Sequence, residues 1–431
     1  MESIWNENRK RPQFDMLKGD MKTDVLVIGG GITGILCGYM LKQAGINCVV
    51  AEAERICGKT TQNTTAKITC QHGLIYDKMI QRFGVDFARL YLQAQNEALA
   101  EYRRMSEKIP CDFEECNSFV FSRNHREKIE KETKALQRIG CDARFFEKTP
   151  LPFAVAGAVQ MAHQAQFHPL KFLFALTKEL TIFENTRILE FKPEGVTTQH
   201  GKIKAEKIIV ATHFPLLNKH GNYFLKMYQH RSYVLALKNA PTVKDMYVDE
   251  SLQGLSFRSY GDTLLLGGGS HRTGKKGGNW AELLDFAKAH YPEAEEVCRW
   301  ATQDCMTLDD IPYIGPYSKR TPNLYVATGF HKWGMTSAMT AAMLLRDMVQ
   351  EKESQYAPIF SPSRSVLRPQ LAVNAAESLL GLITPTTPRC PHMGCALKFN
   401  PQERSWDCSC HGSRFTEKGA LLDNPAEGDL K

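Results

Sequence analysis

Residues 24–52, DVLVIGGGITGILCGYMLKQAGINCVVAE, constrain the fold of this 431-residue chain more than any other stretch. The apolar run 25–28 predicts a buried parallel strand. It opens directly into Gly29, Gly30, Gly31, Ile32, Thr33 and Gly34, a G-x-G-x-x-G turn. Each glycine has its own reason: Gly29 turns the strand sharply, Gly31 lets backbone N–H groups approach a pyrophosphate, and Gly34 lets the next helix sit close to the sheet. That helix, expected over 32–44, points its positive end at the pyrophosphate. Gly45 ends it. A second strand over 47–51 delivers Glu52 to accept hydrogen bonds from a ribose. Strand, glycines, helix, strand and acid arrive in the order that dinucleotide binding requires.

The loop after Glu52, 55–67, is rich in hydroxyls, with Thr60, Thr61 and Thr65 followed by Ala66. It suits the phosphates and flavin edge of FAD better than NAD; a solvated loop ending in a helix cap is the plain alternative. Helices are expected over 91–109, 123–139 and 169–180. The charges of the second describe a solvated face. Strands are expected over 186–191 and 195–204. The apolar run 207–211 predicts another buried parallel strand, with its ligand end at Ala211, Thr212 and His213. Residues 216–300 alternate apolar and polar positions between turn residues, which reads as an antiparallel sheet able to roof a flavin. A last core strand over 324–327 enters a second glycine-flanked turn, from Gly329 to Gly334, before a helix over 337–349. That turn offers another positive helix end, or ordinary capping.

Near the C-terminus two boxes stand apart from the rest: Cys390-Pro-His392, and Cys408-Ser-Cys-His411. Each offers one thiolate and one imidazole. A [2Fe–2S] cluster with two cysteines on one iron and two histidines on the other would pin the two loops together. Two cysteines and two histidines also satisfy a tetrahedral zinc site, although zinc more often uses like-paired boxes. The other cysteines, out of 13 in all, sit mostly singly in apolar segments, as buried reduced thiols do. Net charge is +7 from 54 basic and 47 acidic residues spread along the chain, so no nucleic-acid partner is implied. No apolar run approaches the roughly 20 residues of a membrane span. With no signal-peptide core at the N-terminus, a cytoplasmic location is expected.

VIGGGITGILCGY, Glu52, TTQNTTAK, VATHF, DDIPYIGP and VATGFHKWGMT together resemble the D-amino-acid-oxidase/glycine-oxidase-like class of FAD-dependent oxidoreductases. The resemblance implies an α/β fold: a Rossmann-like FAD domain with a parallel sheet, and an inserted antiparallel-sheet substrate domain. It implies hydride removal from a carbon bearing an amine. By position, Ile188 would meet adenine through its backbone, and Gly329, Gly334, Met335 and Thr336 would face the flavin N1/O2 edge. Members commonly hold a substrate carboxylate with a basic residue in this last loop, often arginine. Here the place belongs to Lys332, a point charge without the bidentate fork. Lys332, Trp333 and His331 are the candidate catalytic residues. His72, His168 and His331 invite acid–base roles, but hydride transfer from a neutral amine needs little beyond orientation, so structural histidines are expected.

CPHMGC and CSCHGSRF resemble the Rieske [2Fe–2S] signature, which implies Cys390, His392, Cys408 and His411 as ligands. Cys395 and Cys410 are similar to the loop-bridging disulfide pair of some Rieske proteins. The joined architecture resembles bacterial flavoproteins with a D-amino-acid-oxidase-like body and a C-terminal Rieske module. The expected division is a body over 1–356, a linker over 357–385 and a small all-β module over 386–431. Within the body, the FAD domain is placed mainly at 20–90, 165–215 and 301–356, and the substrate domain mainly at 91–164 and 216–300. The module is short of the usual β base, so it is expected to lean on the body; alone, a segment of roughly 46 residues is a marginal folding unit. The expected activity is an amine or amino-acid dehydrogenase that passes electrons from FAD to the cluster and on to an external one-electron acceptor. Two alternatives stand beside it: a reductase running electrons from an external donor through cluster to flavin, and an electron-transfer or redox-sensing protein without its own small substrate.

Overall fold

Strand Met21–Ile28 is apolar over its last four residues because both faces of the sheet around it are covered. In the computed structural model, which describes residues 2–6, 10–217, 220–385 and 388–430, it pairs in parallel with Gly201–Val210 on one side and Cys48–Ala51 on the other. Leu324–Thr328 and Thr181–Phe183 extend the parallel sheet outward, and Tyr313–Pro316 closes one edge antiparallel. Helix Ile32–Gln43 covers one face together with Gly334–Val349, which begins three positions earlier than expected because the glycine turn feeds straight into it. Helix Val85–Ser106 buries Leu92, Gln95, Leu99 and Tyr102 at helical spacing. It packs on Gly334–Val349, where the Tyr102 hydroxyl donates to the Met335 carbonyl at 3.0 Å. This helix, expected in the substrate domain, therefore sits on the parallel-sheet layer.

A second sheet is nine-stranded, running from Glu295–Thr307 through Met227–Lys238, Thr263–Arg272, Ser256–Tyr260, Met246–Asp249, Glu114–Ser122 and Gly157–Gln166 to Lys67–Ile68, with Ala143–Phe146 also paired to Gly157–Gln166. One pairing, Met246–Asp249 with Glu114–Ser122, is parallel, so the roof is antiparallel except at that seam. Strand Glu295–Thr307 crosses the division expected after residue 300: its whole length pairs with Met227–Lys238. The last sheet is a four-stranded meander over Leu397–Asn400, Ser405–Cys408, Arg414–Thr416 and Leu421–Asp423. The stretch expected as a linker contains helices Ala357–Phe360 and Pro369–Ile383. Near the start of the chain Trp5 is fully buried, its indole N–H donating to the Thr64 carbonyl at 2.7 Å, which ties the N-terminus to the hydroxyl-rich loop.

Candidate functional site

The glycine turn is as tight as its sequence implies. Gly29 has φ +107°, and a Cβ there would lie 2.6 Å from the Ala211 carbonyl oxygen. A Cβ at Gly34 would collide with the Gly29 carbonyl, so Gly34 serves helix–strand contact and does not line the cavity. The Glu52 carboxylate accepts from the Gly30 amide at 2.7 Å and from the Glu54 amide at 2.9 Å, which fixes its orientation at the strand end. Burial pushes its pKa up. The Ile32 amide donates to the Thr61 hydroxyl at 3.0 Å, so the hydroxyl-rich loop lies against the helix start.

From this turn a cavity of about 1510 Å³ runs beneath the nine-stranded sheet. Gly29, Gly31, Glu52, Thr60, Thr61, Thr65, Ile188, Ala211 and Thr212 line it, as do Gly329, His331, Lys332, Trp333, Gly334 and Met335. Besides Gly34, two expected residues do not. Ala66 is buried with φ +55°, and its carbonyl accepts from Arg258 at 2.9 Å; the left-handed backbone turns it away. Thr336 is also buried, its hydroxyl on the Thr69 carbonyl at 3.0 Å, because the helix already carries it past the rim.

The last-loop residues divide by what they touch. His331 Nε2 accepts from the Thr307 amide at 3.0 Å, which gives that nitrogen a structural partner. His72 Nδ1 lies 2.7 Å from the Tyr91 hydroxyl, and His168 caps its helix on the Lys171 amide at 3.2 Å. Trp333 stacks on His72, centroids 5.4 Å apart and planes within 13°. The Lys332 ammonium donates to the Leu252 carbonyl at 2.7 Å and to the Ser270 hydroxyl at 2.8 Å. Burial pushes its pKa down to about 8, while Asp304 pulls it back up.

Asp304 lines the same space and escaped sequence reasoning. Burial raises its carboxyl to about 7, against the pull of Lys332. Lys67, inside the TTQNTTAK segment, also lines the cavity; burial, with Arg258 nearby, lowers it to about 7. A lysine closing a hydroxyl-rich loop was a visible signal. An acid in the alternating strand before Cys305 was not.

At the C-terminus the two boxes come together. Cys390, Cys408 and His411 are buried, and the rings of His392 and His411 stand 5.0 Å apart at 87°. The Cys390 and Cys408 thiols share a hydrogen bond, which lowers Cys390 to about 7 and raises Cys408. Cys395 and Cys410 form a disulfide with Cα atoms 6.7 Å apart. The sulfurs of Cys395, Cys408 and Cys410 lie within 4.8 Å of one another, but the disulfide occupies two of them. Both ring nitrogens of buried His411 are without a hydrogen-bond partner of normal geometry among the described residues. A buried imidazole in that state beside two close thiols suits metal ligation.

The module is seated on the nine-stranded sheet through polar side chains. Gln229 Nε2 donates to the His411 carbonyl at 2.8 Å, and Gln303 Nε2 to the Gly412 carbonyl at 2.9 Å. Arg231 pairs with Glu403, whose carboxylate also accepts from Arg414 at 2.8 Å and from the Tyr233 hydroxyl at 2.9 Å. Asn424 Nδ2 donates to the Thr212 and Phe214 carbonyls at 2.9 and 3.0 Å. Leu421, Asp423, Asn424, Ala426 and Glu427 of the module thereby form part of the cavity wall.

A nucleotide cradle under a sheet roof, with a Cys/His module against its wall, defines a flavoprotein that also carries an iron–sulfur module. The chain belongs to the FAD dependent oxidoreductase (DAO) family, whose profile matches residues 24–348, and a Rieske [2Fe-2S] domain profile matches 355–431. The Rieske match reaches back through helix Pro369–Ile383. The chain is 34% identical to the Rieske 2Fe-2S iron-sulfur protein YhfW of Bacillus subtilis (strain 168), with 100% of this chain and 97% of that one covered. The gamma-glutamylputrescine oxidoreductase of Escherichia coli (strain K12) is 23% identical over 79% of this chain and 87% of its own length. Among solved structures, glycine oxidase from Geobacillus kaustophilus aligns with TM-score 0.66 at 20% identity, covering 80% of this chain and 99% of that one. The fold is thus that of an FAD-dependent oxidoreductase, with FAD and a Rieske [2Fe–2S] cluster as its cofactors. Among the described residues, no helix is long and apolar enough to cross a membrane.

Proposed function

We propose that the chain is a dehydrogenase of an amine or amino acid that sends electrons through its Rieske module to an external one-electron acceptor. The observation that carries this reading is the shared wall: Leu421, Asp423, Asn424, Ala426 and Glu427 of the module line the cavity that begins at the glycine turn. Bound FAD would supply hydride acceptance from the amine-bearing carbon, and the cluster would supply single-electron transfer. Gly29, Gly31, Glu52, Thr60, Thr61, Thr65, Ile188, Ala211 and Thr212 would hold the dinucleotide. Gly329, Gly334 and Met335 would present the second helix start to the ring system. Cys390, His392, Cys408 and His411 would hold the irons.

On the substrate side, Lys332 and Lys67 are two buried cations in the lining of the sheet-roofed cavity, and Asp304 is an acid close enough to Lys332 for their charges to interact. Lys332, oriented by Leu252 and Ser270, would meet a carboxylate as a point charge. Asp304, with its pKa raised to about 7, is suited to hold or take a proton from an ammonium group before its carbon reacts. The charged Lys332 and Asp304 side chains in the cavity lining favour an enzyme over a relay without a substrate.

The test uses protein purified without oxygen, assayed for flavin, iron and zinc and by EPR after reduction. A panel of amines and amino acids is then screened for flavin bleaching. The reading expects two irons per chain and a substrate that bleaches the flavin and brings up the EPR signal of the reduced cluster. Cys408→Ser should keep flavin bleaching and lose rapid reduction of a one-electron dye. Zinc in place of iron, or bleaching that never reaches the cluster, would end the relay.

A further inference from the structure

Helix Pro369–Ile383 lies over the cluster loops with its small and polar positions inward. Asn374 and Gly381 are buried, and the Ala396 amide donates to the Gly381 carbonyl at 2.9 Å. Gly381 rests on the disulfide: a Cβ there would lie 3.3 Å from the Cys395 Cβ. Cys410 Sγ lies 3.8 Å from the Glu377 carbonyl. The outward positions are the reverse of what solvent favours. Leu379, Leu380, Leu382 and Ile383 face out, joined by Met393 of the first cluster loop and by Leu225, and each is between 39% and 65% exposed. A Cβ at Gly394 would sit 3.9 Å from Leu382, so helix and loop make one continuous surface beside His392. Isolated exposed leucines need no explanation; a contiguous set does.

Along the segment that carries this surface, the charge without a carboxylate partner has one sign. Residues 366–399 contain Arg368, Arg389 and Lys398 and a single acid, Glu377. Glu377 is spent on Lys275 at 2.7 Å. None of the three cations has a carboxylate partner among the described residues. Arg389 instead donates to the Leu382 and Gly394 carbonyls, both at 3.0 Å, which holds its charge between helix end and cluster loop.

We propose that this apolar face with its cationic rim is the docking surface for the external electron acceptor, a one-electron carrier protein with an acidic rim. The proposal rests on the relay reading and deepens it by naming the partner's chemistry and place of entry. Opposite rim charges steer encounter, and an apolar centre holds the complex at the edge of the cluster loops. A second copy of this chain fits poorly, because symmetric pairing would bring two cationic rims together. A membrane surface fits poorly too: the helix carries no lysine or arginine over 369–383, where interfacial helices have a cation-rich polar face.

The experiment takes the full-length holoprotein, chemically reduced without oxygen, and mixes it with an acidic blue-copper protein in a stopped-flow instrument. One electron passes from the reduced protein to copper(II), giving copper(I). The Leu379→Asp/Ile383→Asp double variant should slow this second-order rate at least tenfold. Lys398→Glu should slow it several-fold and flatten its salt dependence. Both variants should reduce a small neutral dye at the wild-type rate. Titration of the copper-free carrier, in which no electron moves, should show binding to wild type and its loss in the double variant. Unchanged carrier rates and binding would overturn the proposal. So would loss of phosphatidylglycerol-vesicle binding, or loss of a dimer by sedimentation, with carrier reduction intact. Failure of the parent reading looks different: the dye would be reduced equally fast by wild type and by Cys408→Ser.

Discussion

At the glycine turn the closest approaches are backbone on backbone, between residues that are near in sequence or in adjacent parallel strands. Gly34 lies on the Gly29 carbonyl, and Gly29 on that of Ala211. At the module's seat the contacts are long polar side chains reaching across the chain: Arg231 to Glu403, separated by 172 positions, and Gln303 to Gly412, separated by 109. The first kind of site tolerates no added atom. The second tolerates atoms and is intolerant of lost charge, because Glu403 sits between two arginines that are each only 5% exposed. Close packing and charge pairing thus fix the two cofactor sites by different physics, and substitutions can separate them.

The largest effect belongs to the charged seat. Glu403→Gln keeps the shape and removes the charge from Arg231 and Arg414, and breaking a buried pair in this way costs about 3–5 kcal/mol. Urea unfolding followed by cluster absorbance should shift accordingly, while flavin content changes little. Neutralising Arg231 as well should recover part of the loss, as coupled neighbours do. Gly34→Ala reverses the pattern. One methyl must displace the helix from the strand, an overpacking cost of about 3 kcal/mol at the upper end of the usual range. Flavin-to-protein ratio should fall while iron per chain is retained.

Titration gives a third, smaller contrast between the two regions. Burial raises Asp304 above its unfolded range, to about 7, so the folded chain binds a proton there that the unfolded chain has released. Stability contributed this way is present at pH 4 and is lost as pH rises towards 7. Asp304→Asn should remove a pH slope worth up to one proton over that window, measured as the difference in melting temperature between variant and wild type. Glu403 has the opposite sign: its two arginines depress its pKa, so its contribution is lost as pH falls.

The same contrast explains what could be read from the sequence. The nucleotide turn, Glu52 and the two metal-binding boxes were legible because each is a contiguous pattern with fixed spacing. The parallel strands around them followed from apolar runs. Ala66 and Thr336 were placed on the cavity by proximity to such patterns, but a left-handed backbone and a helical phase, set by tertiary contacts, turn them elsewhere. Arg231, Gln229, Gln303 and Glu403 carry no local signal of their place in the seat, since nothing in the neighbouring sequence says that a polar side chain will be covered by a distant segment. Strand Glu295–Thr307 was divided at 300 for a related reason: alternation identifies a strand, while its partner Met227–Lys238 determines the sheet. Helix Pro369–Ile383 fell inside the stretch expected as a linker, and only the cluster loops beneath it define which of its sides is covered.

The smallest effect comes from the residue next to Glu403. Arg404 turns outward to Glu417, with its side chain 75% exposed and that of Glu417 49%. Its charge remains hydrated whether or not the pair forms, and ordering two long side chains offsets most of the attraction. Arg404→Gln should therefore change unfolding free energy by less than about 0.5 kcal/mol, with any difference vanishing in high salt. Adjacent positions in one turn of the module would then differ by several-fold or more in consequence. A loss at Arg404 comparable to that at Glu403 would mean that the turn itself carries the seat, and the charge pairing with Arg231 would no longer explain why the module stays on the body.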